Sequence, residues 1–297
     1  MSSENIELSQ SGIFSELLYQ WISPHSMEGF VVATILVFLQ AVTINVIVGK
    51  YRIANEISLL PGMFYVLLSS AFSEFLYLSP LILANTFYII VLMELFSIYR
   101  KYSAAGAIFN IGLWTGVASL FYGSYLFLFI LAMAGLGILR SFKLKEQLIS
   151  ISGLLVPYIL AGTYFFLTDQ FSEFWQKQIQ DGFGFMDLNG TPDLIFYIKM
   201  GILGFMLLIF VFSYNGYTKK KNIQQQKYIN VLFTALLLSA LPFLFQANIR
   251  LDHLLILVPP AGILLSFNFQ NARKSLAESF HFLLFIGLLI LQFSFYW

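Results

Sequence analysis

The sequence predicts an all-α protein, a bundle of about ten transmembrane helices, and its composition and hydropathy support this fold. Of the 297 residues, 59% are hydrophobic and only 10% are charged, whereas soluble domains carry about 25% charged residues. The mean hydropathy is +0.80. Apolar stretches of roughly 20 residues, the length that crosses a bilayer core of about 30 Å, recur along the chain. This composition excludes a water-soluble globule and a disordered chain.

Ten apolar stretches have the length of a membrane span. They are Met27–Gly49, Ile57–Leu78, Leu81–Tyr99, Ala104–Tyr122, Ser124–Leu139, Gln147–Leu167, Leu194–Tyr214, Tyr228–Phe245, Leu254–Phe269 and Leu276–Tyr296. Residues 1–26 are then an outer N-terminal segment, and residues 27–297 are a single transmembrane domain. Residues 1–12 lack the basic and apolar regions of a signal peptide. Either this short tail inserts directly or a helix precedes it.

The basic residues orient the predicted bundle. With both termini outside, 13 of the 16 lysines and arginines fall in inner loops. The outer side keeps only Lys177, Lys199 and Arg250. Because the bias recurs at all five inner turns, the predicted spans obey the positive-inside rule.

Two outer segments are predicted to be interfacial amphipathic helices rather than spans. The first has an apolar face formed by Ile13, Phe14, Leu17, Leu18, Trp21 and Ile22, opposite Ser15, Glu16 and Gln20. The second repeats the pattern with Phe171, Phe174, Trp175 and Ile179. Such helices lie in the headgroup plane with the apolar face towards the lipid. The alternative is a roof over a site that opens to the outside.

Four positions within the predicted spans are singled out, because charge there is costly and needs a reason. Glu74 and Asn85 flank the tight turn Leu78-Ser79-Pro80, and each is a candidate either for turn structure or for a site. Lys199 either extends to the outer headgroups or contributes to a site. Glu94, near an inner helix end, is expected to meet Arg100 or water.

The outer turn before the ninth span is the most informative stretch. Arg250, Asp252 and His253 place a guanidinium, a carboxylate and an imidazole within four residues. Guanidinium groups bind phosphate bidentately, so an anionic lipid headgroup is the predicted ligand. The alternative is an Arg250–Asp252 ion pair that stabilises the turn.

Other classes of site lack support in the sequence. The net charge of +1 gives no electrostatic basis for nucleic-acid binding. Cysteine is absent and the three histidines are scattered, so no metal site is expected. No nucleotide-binding loop or nucleophile elbow is present, and no cofactor is expected. Gly112 and Gly116, spaced as GxxxG, predict close packing of helices.

Parts of the chain resemble a known family. The stretches Leu60–Ser70, Leu78–Phe87, Gly112–Tyr122 and Gly153–Tyr158 are similar to an uncharacterised family of multi-pass inner-membrane proteins of Bacteroidetes. The resemblance covers roughly residues 40–170. It implies a bacterial inner-membrane location and no particular activity.

A more distant resemblance is to the glycosyltransferase C superfamily, whose members take sugars from polyprenyl-phosphate carriers at the outer membrane face. Leu78–Asn85, Gly112–Leu120 and Arg250–Pro260 are the similar stretches. The chain departs from the superfamily because it has no acidic pair in a first outer loop. The resemblance then implies that Glu28 or Glu74 is the catalytic base. It implies a phosphate-binding role for Arg250 and His253.

Three functions follow from these observations. The first is handling of a polyprenyl-phosphate-linked or envelope substrate at the outer face, with Asn85, Lys199, Arg250, Asp252 and His253 as binding residues. Whether this includes catalysis is left open; an enzyme would be glycosyltransferase-like. The second is a non-catalytic scaffold that docks another envelope protein. The third is a transporter, which would need ionisable groups near the membrane midplane.

Overall fold

The structure is a computed structural model that describes residues 12–24, 26–54, 56–71, 77–180, 201, 204, 208, 210–219, 221–242, 251–271 and 286. These residues are helical or lie in short connections, and none of them forms a strand. The helices are α1 (Ile13–Tyr19), α2 (Met27–Lys50), α3 (Leu60–Ser69), α4 (Pro80–Ser97), α5 (Ala105–Phe121), α6 (Leu128–Leu139), α7 (Leu144–Leu167), α8 (Phe171–Trp175), α9 (210–218), α10 (Ile223–Leu238) and α11 (Val258–Asn271). Shorter 3₁₀ turns cover Gly123–Phe127 and Leu251–Leu257, and a π turn covers Gln176–Gln180.

The predicted all-α fold is confirmed over the described residues, and the apolar helices fit a membrane protein. Four described helical stretches are long and apolar enough to cross a bilayer: Met27–Lys50, Pro80–Ser97, Leu144–Leu167 and His253–Gln270. Three shorter apolar stretches are Leu60–Ser69, Ala105–Phe121 and Gly123–Leu139. The seventh and tenth predicted spans fall largely outside the described residues, so the count of ten stays a prediction.

Helices α2 to α7 alternate in direction and give the bundle two distinct ends. At one end, which we call the basic end, Gln225 Nε2 donates to the Arg52 carbonyl and Arg140 Nη1 donates to the Lys101 carbonyl. At the other, which we call the α1 end, α1 packs against the last residues of α5. Among the described basic residues, Lys177 alone lies at the α1 end. The structure therefore places the described basic residues mainly at one end of the bundle, as the loop pattern predicted. Which end faces the cytoplasm stays a prediction.

Helix α11 lies at the centre of the bundle. All its residues from Val258 to Phe267 are buried. The close approach of α3 depends on Gly262, because a Cβ atom there would lie 3.0 Å from the backbone nitrogen of Tyr65. Helices α2 and α7 are peripheral and expose apolar side chains such as Phe38 and Leu160. Such faces suit contact with lipid.

Helices α5 and α7 cross closely through glycines, which confirms the packing role predicted for Gly112 and Gly116. A Cβ atom on Gly112 would overlap the carbonyl oxygen of Ser150, and one on Gly153 would overlap that of Phe109. A Cβ atom on Gly116 would lie 2.8 Å from the Leu154 carbonyl oxygen. Small residues let membrane helices approach backbone to backbone, and here both helices contribute them.

Several helix boundaries differ from the hydropathy prediction, and the largest differences are at α10 and α3. Helix α10 begins at Ile223 rather than Tyr228 because Asn222 and Gln225 form a capping box. It ends at Leu238, short of Pro242, whose missing N–H and ring disfavour a continuing helix. Helix α3 ends at Ser69, where Ser70 Oγ bonds back to the Val66 carbonyl at 2.9 Å. Such back-bonding competes with the helical pattern.

Candidate functional site

Asn85 is the centre of a buried polar network near the α1 end. It lies in the second turn of α4, and its side chain is 0% exposed. Its Nδ2 donates to the carbonyl oxygen of Leu255 at 2.9 Å, and its Oδ1 accepts from the Tyr125 hydroxyl at 2.8 Å. Since a buried amide without partners would be costly, these bonds fix α4 against both the Leu251–Leu257 turn and the Gly123–Phe127 turn.

A second buried amide, Gln40 of α2, lies across the same helix. Its Nε2 donates to the Ile82 carbonyl and to Thr86 Oγ1, both at 2.7 Å. Its Oε1 accepts from the hydroxyl of Tyr65. The amide thus joins α2, α3 and α4 at the level of Asn85.

His253 lies at the edge of this network and is buried, with 2% of its surface exposed. Its Nδ1 is 2.8 Å from the hydroxyl oxygen of Tyr122. Tyr122 in turn packs edge-on against Tyr125, with ring centroids 6.2 Å apart. The network therefore runs from Asn85 through two tyrosines to the imidazole that follows Asp252.

Local backbone geometry places the two tyrosines. Tyr122 ends α5 in an extended conformation, with φ −147° and ψ 112°. The 3₁₀ turn Gly123–Phe127 follows at once, and its i, i+3 spacing stacks side chains on one side. Tyr122 and Tyr125 therefore both face the bundle interior, where one meets His253 and the other Asn85.

Helix α1 covers the end of α5 next to this network. Gly12 N donates to the Phe121 carbonyl at 2.8 Å, and Ser15 Oγ donates to the same oxygen at 2.9 Å. Ser15 is fully buried, although the amphipathic pattern assigned it to the polar face. Trp21, assigned to the apolar face, is 86% exposed. The assignment of Ser15 to the polar face was wrong, because its hydroxyl bonds to the end of α5, whereas the exposure of Trp21 is compatible with an apolar side chain that faces lipid.

The segment after α7 joins α1 in covering this end of the bundle. Gln178 is 1% exposed. Its Nε2 donates to the Ser119 carbonyl at 2.7 Å, and its Oε1 accepts from Ile13 N at 3.4 Å. Phe174 is buried and stacks on Phe165 with ring centroids 5.5 Å apart. The two segments predicted to be interfacial are thus bonded to each other and to α5.

An ion cluster lies at the edge of the segments that cover this end of the bundle. Lys177 Nζ lies 2.7 Å from a Glu16 carboxylate oxygen and 2.9 Å from one of Glu173. Partial burial lowers the pKa of the lysine, but its hydrogen bonds to the two carboxylates outweigh burial and raise that pKa above the ordinary 10.5. Lys177 therefore stays charged and connects α1 to α8.

The structure brings two of the predicted site residues together and separates a third. Asn85 and His253 belong to one network, since Asn85 binds the backbone two residues beyond His253. Glu28 lies exposed in the first turn of α2. Asp252 has its backbone in the Leu251–Leu257 turn, but its side chain lies outside the description. Glu74, Lys199 and Arg250 lie outside the described residues.

The sequence interpretation missed Gln40, Tyr65, Tyr122 and Tyr125. Gln40 carried a usable signal, because an amide in the middle of a 24-residue apolar helix needs a partner. The tyrosines gave no such signal, since the chain has 16 of them. Their roles depend on contacts between residues far apart in the chain.

Comparisons with known proteins add no relative: no protein-family model, no curated protein and no solved structure matches this chain.

Proposed function

We propose that the chain is a multi-pass protein of the bacterial inner membrane that handles a polyprenyl-phosphate-linked or envelope substrate at the α1 end. The observation that supports this best is the buried Tyr122–His253 hydrogen bond, whose tyrosine packs edge-on against Tyr125, the hydrogen-bond partner of Asn85. A polar network inside a membrane bundle marks a functional site by default. With the basic end in the cytoplasm, the α1 end faces outwards.

In this proposal each of the binding residues has a separate task. Arg250 binds the carrier phosphate through its guanidinium fork, and Asp252 orients it. His253, held by Tyr122, donates a further hydrogen bond to the substrate when the turn opens. Asn85 fixes the carbonyl of Leu255 and so the position of the turn. Lys199 supplies additional positive charge.

If the protein is an enzyme, the reaction is transfer of a glycosyl group. The acceptor hydroxyl attacks the anomeric carbon, a carboxylate removes its proton, and polyprenyl phosphate leaves. Glu28 and Glu74 are the candidates for this base, which must reach the acceptor oxygen. Glu28 is exposed at the α1 end and is available to an acceptor from outside.

Binding of a polyprenyl phosphate to purified protein in nanodiscs tests this function. Arg250→Ala should weaken binding about ten- to a hundred-fold, because a charge-assisted contact contributes about 1.5–3 kcal/mol. Arg250→Lys should restore binding only in part. Lys145→Ala, which removes an exposed cation at the basic end, is the matched control and should bind normally. Equal loss of thermal stability in Arg250→Ala and Asp252→Ala, with unchanged binding, would instead indicate a structural ion pair.

The second candidate function is a non-catalytic scaffold that docks another envelope protein. It is favoured by the way α1 and the segment from α8 onwards cover the α1 end. There Gln178 bonds to the Ser119 carbonyl and Lys177 pairs with Glu16. Such a closed end offers a rigid surface. Under this function, substitutions at Arg250 and His253 leave lipid binding unchanged, whereas substitutions on the outer surface of α1, such as Trp21→Ala, abolish assembly with the partner.

A further inference from the structure

A group of aromatic rings lies at the basic end, far from the proposed substrate site. We call it the tyrosine cluster, and its rings are those of Tyr51, Phe96, Tyr99 and Tyr228. The Tyr228 ring contacts each of the others edge-on, with centroid distances of 6.1 Å to Tyr51, 5.0 Å to Phe96 and 5.7 Å to Tyr99. The cluster therefore joins the ends of α2, α4 and α10.

Three cationic side chains lie over these rings. Lys50 Nζ is 5.4 Å from the centre of the Tyr51 ring. Arg100 Cζ and Lys227 Nζ are 5.4 Å and 5.8 Å from the centre of the Tyr99 ring. A cation within about 6 Å of a ring centre is attracted by the π system. Arg100 and Lys227 thus share one ring, and their distances to its centre place the two charges at most about 11 Å apart.

Within the described residues no carboxylate forms a salt bridge with Lys50, Arg100 or Lys227. Two of the acids at this end have other partners. Glu146 pairs with Arg140 at 2.9 Å. Glu94 accepts hydrogen bonds from Asn110 and Ser97 and lies near Tyr51, whose pKa is raised by partial burial and by that carboxylate. The positive charges of Arg100 and Lys227 beside the Tyr99 ring are therefore not neutralised by a salt bridge within the described residues.

The backbone at Arg100 is one that favours glycine. Arg100 follows the last turn of α4 with φ 53°, in the left-handed region that side chains disfavour. The position nevertheless holds an exposed arginine. Lys227, one turn into α10, is half-buried, and its Nζ lies 3.5 Å from the Leu139 carbonyl. Arg100 thus lies just past a helix that is long and apolar enough to cross a bilayer, and Lys227 lies beside the same ring.

We propose that Arg100, Lys227 and Tyr99 bind the phosphate of an anionic phospholipid in the leaflet at the basic end. The Arg100 guanidinium donates two parallel hydrogen bonds to the phosphate oxygens, and the Lys227 ammonium adds a point charge. The Tyr99 ring packs against both cations. A phospholipid is the favoured source of the phosphate because Tyr99 and Arg100 directly follow α4, which is long and apolar enough to cross a bilayer and would end near the headgroups. This site is independent of the proposed function at the α1 end.

The test uses the full chain in detergent, titrated with phosphatidylglycerol or phosphatidylcholine and read by native mass spectrometry. Wild type should retain phosphatidylglycerol selectively. Arg100→Gln/Lys227→Gln should lose that affinity about ten-fold or more. Lys143→Gln/Lys145→Gln is the matched control, because both lysines are exposed at the same end and neither lies over an aromatic ring of the described residues. Equal losses in the two double variants would overturn the site, because they would indicate attraction by surface charge alone.

Two further arms keep the site testable if the double variant folds poorly. Arg100→Lys retains the charge but loses the fork, so its affinity for phosphatidylglycerol should fall severalfold with unchanged melting; unchanged affinity would contradict the site. Inorganic phosphate at the same concentration should leave the bound lipid in place. Displacement of lipid by free phosphate would overturn the assignment of a lipid headgroup.

Discussion

The hydroxyl oxygen of Tyr122 lies 2.8 Å from Nδ1 of His253, although the two residues are 131 positions apart in the sequence. Both side chains are buried, at 4% and 2% exposure. The bond joins the end of α5 to the turn that precedes α11, the most buried helix of the fold. Since this turn also follows Arg250, packing of the bundle and the proposed substrate site depend on the same contact.

Tyr122→Phe is expected to destabilise the protein by about 1–3 kcal/mol, because it removes a hydrogen-bond partner from a buried imidazole. A double-mutant cycle with His253→Leu should show coupling of about 0.5–3 kcal/mol. Denaturant unfolding in micelles measures both. The control cycle pairs Tyr122→Phe with Tyr228→Phe at the basic end, and these effects should add. Additive effects of Tyr122 and His253 would show that the bond contributes nothing.

Gly112→Ala is expected to destabilise the crossing of α5 and α7 by about 1–3 kcal/mol, because the added methyl group overlaps the Ser150 backbone. Gly137→Ala is the matched control, since its Cβ meets nothing within 4 Å. Removing a helical glycine there should be neutral or stabilise by up to about 1 kcal/mol. Thermal unfolding of both variants checks this prediction, which fails if they melt at the same temperature.

The ion cluster of Lys177 predicts a stability that depends on pH. The folded pKa of Lys177 is raised, so its contribution is present below the unfolded value near 10.5 and is lost as pH rises through the folded value. The side chains are partly exposed, so the effect is about 0.2–1 kcal/mol. Wild type should therefore lose more stability than Lys177→Gln on going from pH 9 to pH 12.

High salt provides the control for this pair. Screening should reduce the difference in stability between wild type and Lys177→Gln at pH 8. Lys145 is an exposed cation without such partners among the described residues, so Lys145→Gln should match the stability of wild type at low and at high salt. A wild-type and Lys177→Gln pair with parallel pH profiles would contradict a stabilising role for the cluster.

Topology is directly testable because the chain has no cysteine. With the basic end in the cytoplasm, Trp21→Cys should react with an impermeant maleimide in spheroplasts. Tyr102→Cys should react only after permeabilisation. The structure leaves both side chains accessible, at 86% and 104% exposure. Cysteines at Ser11, Asn189 and Asn248 should follow Trp21, and one at Asn222 should follow Tyr102. Labelling of Asn222→Cys from outside would invert the second half of the chain.

Hydropathy and small-residue spacing predicted the helical membrane fold and the crossing at Gly112. These features depend on residues close together in the chain. The start of α10 was missed although its signal was local, because the capping box of Asn222 and Gln225 is polar and a hydropathy window discards it. Cap chemistry determines a helix start as firmly as apolar content.

The candidate site was only half predictable. Asn85 and His253 each stood out because of a local feature, a polar group in a span and a cluster of ionisable residues. Nothing local indicates that Tyr125 bonds Asn85 or that Tyr122 bonds His253. Those bonds depend on the tertiary approach of α4, α5 and the Leu251–Leu257 turn, and one sequence alone does not determine that approach.

The most direct test of the proposed substrate site is photo-crosslinking with a polyprenyl phosphate that carries a diazirine beside the phosphate, followed by peptide mapping. The proposal predicts labels concentrated at the α1 end, in the peptides containing Tyr122 and the Leu251–Leu257 turn. Unlabelled polyprenyl phosphate should compete for these positions, and Arg250→Ala should abolish them. Labels spread along the lipid-facing surfaces of α2 and α7, unaffected by competitor or by Arg250→Ala, would contradict it.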